Sequence, residues 1–201
     1  VLLTATISSS TTISCNGGSD GTATVDVAGG TLPYDYSWSN GQTLSGDVLG
    51  TNTATGLAQG NISITITDAK GCIATNNTNI TEPPVLTAIA TKVQDVQCNG
   101  VADGIISVVG SGGTAAVDYT YLWSDGQTTA TASGLAPGSY TVTLTDDNGC
   151  TFTTSPAVTI TEPPVLTAIA TKVQDGQCNG AADGIISVVG SGGTAAVDYT
   201  Y

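Results

Sequence analysis

Apolar and polar residues alternate along most of this chain. In GTATVDV (21–27), Ala23, Val25 and Val27 alternate with Thr22, Thr24 and Asp26; in ISITITD (62–68), Ile62, Ile64 and Ile66 alternate with Ser63, Thr65 and Thr67. A period of two sends successive side chains to opposite faces, so each segment predicts a half-buried β-strand. TATIS (4–8), YDYSW (34–38), a weaker TNTATGL (51–57) and a last strand leading into Ile80 complete the first set. SYTVTLTD (139–146) shows the same alternation further on, with Tyr140, Val142 and Leu144 turned inward. Asn40-Gly41 and Asp125-Gly126 follow Trp38 and Trp123 directly and are hairpin-turn dipeptides. Short alternating strands with Gly, Asn and Asp punctuation predict an all-β protein of immunoglobulin-like β-sandwich architecture. Trp38 with Tyr34 and Tyr36, and Trp123 with Tyr119 and Tyr121, are expected to anchor the cores; an aromatic platform for sugars is the alternative use.

The chain repeats itself. Residues 81–121 recur at 161–201 with two changes, Val96 to Gly176 and Val101 to Ala181, and a more diverged copy fills 1–84. Cys15, Cys98 and Cys178 each precede Asn-Gly. This organisation predicts two full domains, 1–84 and 85–164, and the first part of a third, 165–201, joined by short Pro-rich linkers at TEPP (81–84 and 161–164).

Five cysteines in a strand-rich, Thr/Gly-rich chain suggest disulfides in an oxidising compartment. Each full copy has one early and one late cysteine. The expected pairs are therefore Cys15 with Cys72 and Cys98 with Cys150, leaving Cys178 without its late partner. Four predicted strands lie between Cys15 and Cys72 (21–27, 34–38, 51–57 and 62–68), and an even number returns the chain to the same end of a sandwich. With no His and no CxxC spacing, a metal–thiolate site has little to support it.

Charge narrows the functional classes. Sixteen acidic residues against three basic ones give a net charge of −13, which repels phosphate backbones and sets nucleic acid aside as a partner. Only 9% of residues are charged and 40% are apolar, enough to build cores. No stretch approaches the roughly 20 apolar residues of a membrane span. The start VLLTATISSS, without a basic segment, cleavage site or initiator Met, reads as part of a longer processed chain. Neither a nucleophile–base pair nor a catalytic carboxylate is evident, so the expectation is a protein that is not an enzyme.

Together, CNG-x-x-DG, P-Y-x-Y-x-W-S-N-G-Q-T, Y-T-V-T-L-T-D-x-x-GC-T and ITEP resemble the SprB-type repeat of very large Bacteroidetes surface proteins, among them the mobile adhesin of gliding flavobacteria. The matching residues are Cys98, Asn99, Gly100, Asp103, Gly104, Trp123, Tyr140, Asp146, Gly149, Cys150, Glu162 and Pro163. The resemblance implies an extracellular, cell-surface protein carrying many such domains in series, with residues that are structural and no catalytic set. The first copy departs from it with a longer segment at 39–56.

The remaining chemistry is sparse. Under the expected disulfides, Asn16 and Asp20 approach Asp68, while Asn99 and Asp103 approach Asp146, Asp147 and Asn148; such clusters of hard oxygens suit calcium. Turns capped by Asp are the plainer reading. Lys70, Lys92 and Lys172 do not occupy one repeated position, which speaks against a Lys–Asn crosslink. Asn61, Asn76 and Asn79 fit the N-glycosylation pattern. Ile105 and Val109, with Ile185 and Val189, are expected on an outward face if Ile106 and Val108 face the core, and are candidates for contact with another domain or chain. The functional expectation is a structural segment of an extracellular filament or adhesin stalk, with neighbouring repeats and copies of itself as partners. A glycan- or calcium-dependent ligand-binding module and the accessory region of a secreted enzyme are the alternatives.

Overall fold

The computed structural model describes residues 1–114, 118–180 and 182–194. The change at Ala181 and the end of the third copy, 195–201, lie outside them. Every regular element among the described residues is a strand, and no helix is long and apolar enough to cross a membrane.

Two compact units are present. The first comprises Val1–Thr87, Gly110–Tyr119 and Thr145–Phe152. It contains β1 (Thr4–Thr11), β2 (Gly21–Ala28), β3 (Tyr34–Trp38), β4 (Thr43–Asp47), β5 (Thr51–Leu57), β6 (Gly60–Asp68) and β7 (Ile73–Ile80). The strands form two sheets, β1-β2-β5 and β4-β3-β6-β7, and every registered pairing is antiparallel. This is the expected immunoglobulin-like sandwich. The alternation places Ala23 and Val25 of β2 opposite Tyr36, Trp38, Ile64 and Ile66 in one buried cluster. Ile64 and Ile66 have no exposed surface. Asn76 Nδ2 of β7 donates to Ala5 O of β1 at 2.9 Å and laces the two sheets together.

Strand registers fix which loops share an end. Thr4 pairs with Ala28, and Tyr34 with both Asp68 and Asp47; the start of β1 therefore lies at the end that holds the β2–β3 and β6–β7 turns. The Thr31 amide donating to Asp68 at 2.9 Å and the Gly30 amide donating to Val1 O at 3.2 Å close that end. At the other end Thr11 pairs with Thr22, Gly21 with Leu57 and Gly60 with Ile80. There the Ile13 amide donates to Thr81 O at 2.9 Å.

Strand β4 is absent from the sequence-based expectation. Its residues, TLSGD, carry no alternation, and Thr43, Leu44, Ser45 and Gly46 are exposed, because β4 is an edge strand that covers little core. With β4 counted, five strands separate Cys15 from Cys72. An odd number puts the two cysteines at opposite ends, some 25–30 Å apart by the rise of a nine-residue strand such as β6. A disulfide needs Cα atoms within about 7 Å. The expected pairing of Cys15 with Cys72 is thus excluded by the topology.

The second unit comprises Ala88–Val109, Thr120–Leu144 and Thr153–Tyr201. The second copy contributes β8 (Thr87–Gln94), β9 (Gly104–Ser111), β10 (Thr120–Trp123), β11 (Thr131–Leu135), β12 (Gly138–Tyr140), β13 (Val142–Thr145), β14 (Thr151–Thr153) and β15 (Val158–Ile160). Its sheets are β11-β9-β8, β10-β13-β14 and β12-β15. Ile106, Val108, Trp123, Ala132, Leu135, Val142 and Ile160 form its buried cluster. The third copy supplies β16 (Thr167–Gln174) and β17 (Ile185–Ser191), an antiparallel pair.

A double glycine recurs in every copy for a steric reason. Gly112 has φ +79°, and a Cβ there would stand 1.9 Å from Val85 O; Gly29 has φ +73° and meets Leu2 O at the same distance. Only a residue without Cβ lets the incoming strand pass this close.

Candidate functional site: the CNG loop and the TEPP segment

The residues shared by all copies build one recurring arrangement. In the first copy the Asn16 side chain donates to Pro83 O at 2.9 Å, and the Gly17 amide donates to Glu82 Oε2 at 2.7 Å. The second copy repeats both bonds: Asn99 to Pro163 O at 3.0 Å and the Gly100 amide to Glu162 Oε2 at 2.8 Å. The CNG loop therefore grips the TEPP segment that leaves the same sandwich. An aspartate props each loop from behind. Asp20 accepts the Ser14 amide, Asp103 the Gln97 amide and Asp183 the Gln177 amide, all at 3.0 Å. Hydrogen bonds from Ser14 hold the Asp20 carboxyl below the usual range.

A second arrangement holds the late cysteines. Asp68 is buried, yet its carboxylate accepts the amides of Thr31, Lys70 and Cys72 at 2.8–2.9 Å. Asp146 does the same for Thr114, Asn148 and Cys150, at 2.8–3.0 Å. The amide bonds, that from Cys72 foremost, lower the Asp68 pKa. For Asp146, desolvation opposes and the amides of Thr114, Cys150, Asn148 and Gly149 prevail, again lowering it. The bonds close a tight turn that presents the cysteine.

The two arrangements meet in a disulfide. Cys15 is bonded to Cys150, with Cα atoms 5.7 Å apart, and both residues belong to the first compact unit. Asn148 Nδ2 donates to Ser14 O at 2.9 Å beside it. Pro84, Val85, Leu86 and Phe152 help to line an open cleft against the same two cysteines. The expected pairs Cys15–Cys72 and Cys98–Cys150 are corrected accordingly: Cys72, Cys98 and Cys178 are exposed thiols.

The other expected sites fare differently. The approach of Asp20 to Asp68, and of Asp103 to Asp146 and Asp147, rested on the overturned pairing. Asp20, Asp68, Asp103 and Asp146 are each taken up by backbone amides of their own turns. Among the described residues no group of three or more His, Cys, Asp or Glu is gathered to hold a metal ion. Trp38 and Trp123 are core residues with 3% and 2% exposure, their indole N–H groups donating to Asn52 Oδ1 at 2.7 Å and Thr129 O at 2.9 Å. Neither ring is a surface platform for sugar. Lys92 and Lys172 form exposed ion pairs with Asp95 and Asp175. Ile106 and Val108 are buried while Val109 is 71% exposed and Ile105 half-buried; Ile185 and Val189 are exposed in the third copy.

Residues 7–43 and 90–128 match the SprB repeat, and each match takes in a CNG loop and a tryptophan turn. Among curated proteins none matches the sequence. Solved structures similar to the chain include the three N-terminal domains of the highly immunogenic outer capsid protein of bacteriophage RB49, at 17% identity and a TM-score of 0.43. A 282-residue C-terminal fragment of intimin, in complex with the intimin-binding domain of the translocated intimin receptor, is similar at 14% identity and 0.39. Invasin, a bacterial integrin-binding protein, is similar at 17% and 0.37. These similarities cover 97%, 84% and 86% of this chain, and 72%, 66% and 42% of those chains, in the same order.

Proposed function

We propose that this chain, which carries two copies of the SprB repeat, is a structural stalk segment of a cell-surface adhesin, its copies joined in series and holding their spacing outside the cell. The observation that carries this reading is the doubled clamp between CNG loop and TEPP segment. A Pro-Pro segment is already stiff. Two hydrogen bonds to the loop, repeated with the same partners in successive copies, restrain it further. A ligand pocket differs from a linker clamp in what it leaves open. Here the recurring polar groups of the two full copies are occupied by the chain itself, and the tryptophans are in the cores. The disulfide supports an extracellular setting, because such bonds persist where thiols are not kept reduced. The reading assigns no reaction to the chain, since its distinctive residues brace backbone.

Electron microscopy of native, non-reduced material tests it. Rods or fibres with a regular axial repeat of one or two domains are expected. Freely jointed beads, or specific capture by an isolated repeat on a glycan array, would sink the stalk reading in favour of a flexible tether or a ligand-binding module.

A further inference from the structure

We propose that the Cys15–Cys150 bond is one rung of a ladder: the CNG-loop cysteine of each copy is bonded to the late-turn cysteine of the copy that follows it. On this assignment Cys72 and Cys98 are half-sites for cysteines of other copies of the repeat. The inference is independent of the stalk reading, since a ladder can brace a binding surface as well as a shaft.

Three observations carry it. Within the first copy the early and late cysteines lie at opposite ends of the sandwich, by the strand registers above. The late turn sits at the end where β1 begins, and the CNG loop at the end where the TEPP segment leaves. The bond present, Cys15 to Cys150, joins the loop of the first copy to the late turn of the second. Second, both half-sites are built alike whether or not they are bonded. The unbonded Cys72 has its amide on Asp68 at 2.8 Å and its carbonyl accepting from the Asp68 amide at 3.0 Å; the bonded Cys150 has the same bonds with Asp146 at 2.9 and 3.0 Å. The unbonded Cys98 sits in a loop with the same clamp as that of Cys15. Third, Lys70 stands in the turn where Asn148 stands, so a side-chain donor is again available for the carbonyl that precedes an early cysteine. Two dissimilar half-sites, each duplicated and seen joined once, define a specific reaction partner.

The bond forms by thiol–disulfide exchange. One cysteine thiolate attacks a disulfide oxidant such as oxidised glutathione, giving a mixed disulfide and one released thiol. The second cysteine thiolate then displaces the other half of the oxidant. Two protein thiols give up two electrons and two protons, and the oxidant leaves as two thiols.

Peptide mapping tests the ladder. The 201-residue chain, alkylated without reduction, is expected to yield the Cys15–Cys150 peptide and alkylated Cys72, Cys98 and Cys178. Extending the chain at Tyr201 with a copy of residues 122–164 adds one more late cysteine. That cysteine should bond to Cys98, which then escapes alkylation, while Cys72 and Cys178 remain labelled. A bond from the added cysteine to Cys178, or an alkylated Cys98, overturns the ladder. Cys150→Ser in the original chain gives a second arm: Cys15 should become alkylated, and a bond from Cys15 to Cys72 overturns the placement at opposite ends.

Discussion

Replacing Glu82 with Ala removes the carboxylate that takes the Gly17 amide at 2.7 Å. A hydrogen bond to a charged acceptor contributes about 1.5–3 kcal/mol when well shielded. Glu82 is only half-buried, so solvent screening reduces this to about 1 kcal/mol, nearer the value of an exposed pair. Local opening of the CNG loop should then become about fivefold more favourable, since 1.4 kcal/mol is a factor of ten. NMR-detected hydrogen exchange at the Gly17 amide reads this directly. The second copy is an internal control, because Gly100 uses Glu162 and should keep its rate. Adding Asn16→Ala, which removes the bond to Pro83 O, should accelerate Gly17 exchange further. Unchanged exchange at Gly17, or equal acceleration at Gly17 and Gly100, would refute the clamp as the element that fixes the linker.

Other consequences follow from the cores and turns. Ile64→Ala in the first copy and Ile106→Ala in the second remove side chains with no exposed surface and should each cost about 2–5 kcal/mol. Urea denaturation checks this, and a loss well under 1 kcal/mol would deny them their core position. Gly112→Ala should disrupt folding outright, since its Cβ meets a backbone oxygen at 1.9 Å and φ is positive; a native-like circular dichroism melt would contradict that geometry. Because Asp68 and Asp146 have lowered pKa values in the fold, their stabilisation is full above the unfolded carboxylate pKa of about 4 and is lost as pH falls through the folded values. Melting temperature should drop below about pH 4, and Asp146→Asn should flatten the drop.

Much of the fold is legible in the sequence. Alternation in β2 and β6 identifies their inward residues, and the Tyr and Trp positions of β3 fall in the core as expected. What escapes is β4, whose residues face solvent and so carry no hydrophobic period. That single omission changes the strand parity from odd to even, so the strand count agrees with a pairing that the early and late cysteine of each full copy suggest on other grounds, and does not expose it. The proximity of Asp20 to Asp68 and of Asp103 to Asp146, from which the calcium expectation is argued, is borrowed from those pairings and goes with them. The clamp is missed for another reason. Asn-Gly after each early cysteine reads as a turn, and TEPP reads as a linker; the signal was their joint recurrence, an amide-rich loop and an acid-bearing segment in both full copies. Hydrogen-bond partners 65 and 67 residues apart leave no local period to detect.

The Cys15–Cys150 bond also alters how tension travels through the polypeptide. The span it closes is 135 residues, which pulled straight would measure roughly 450–490 Å. Across the sulfurs the same two Cα atoms are 5.7 Å apart. A load applied at the ends of the chain therefore crosses from one cysteine to the other without stretching the strands between them. Strands β2 to β13 lie inside that loop, and they cannot add length to the molecule until the bond is reduced. For those strands extensibility is set by thiol chemistry, while β1 and β14 to β17 lie outside the loop and bear load through their own pairings.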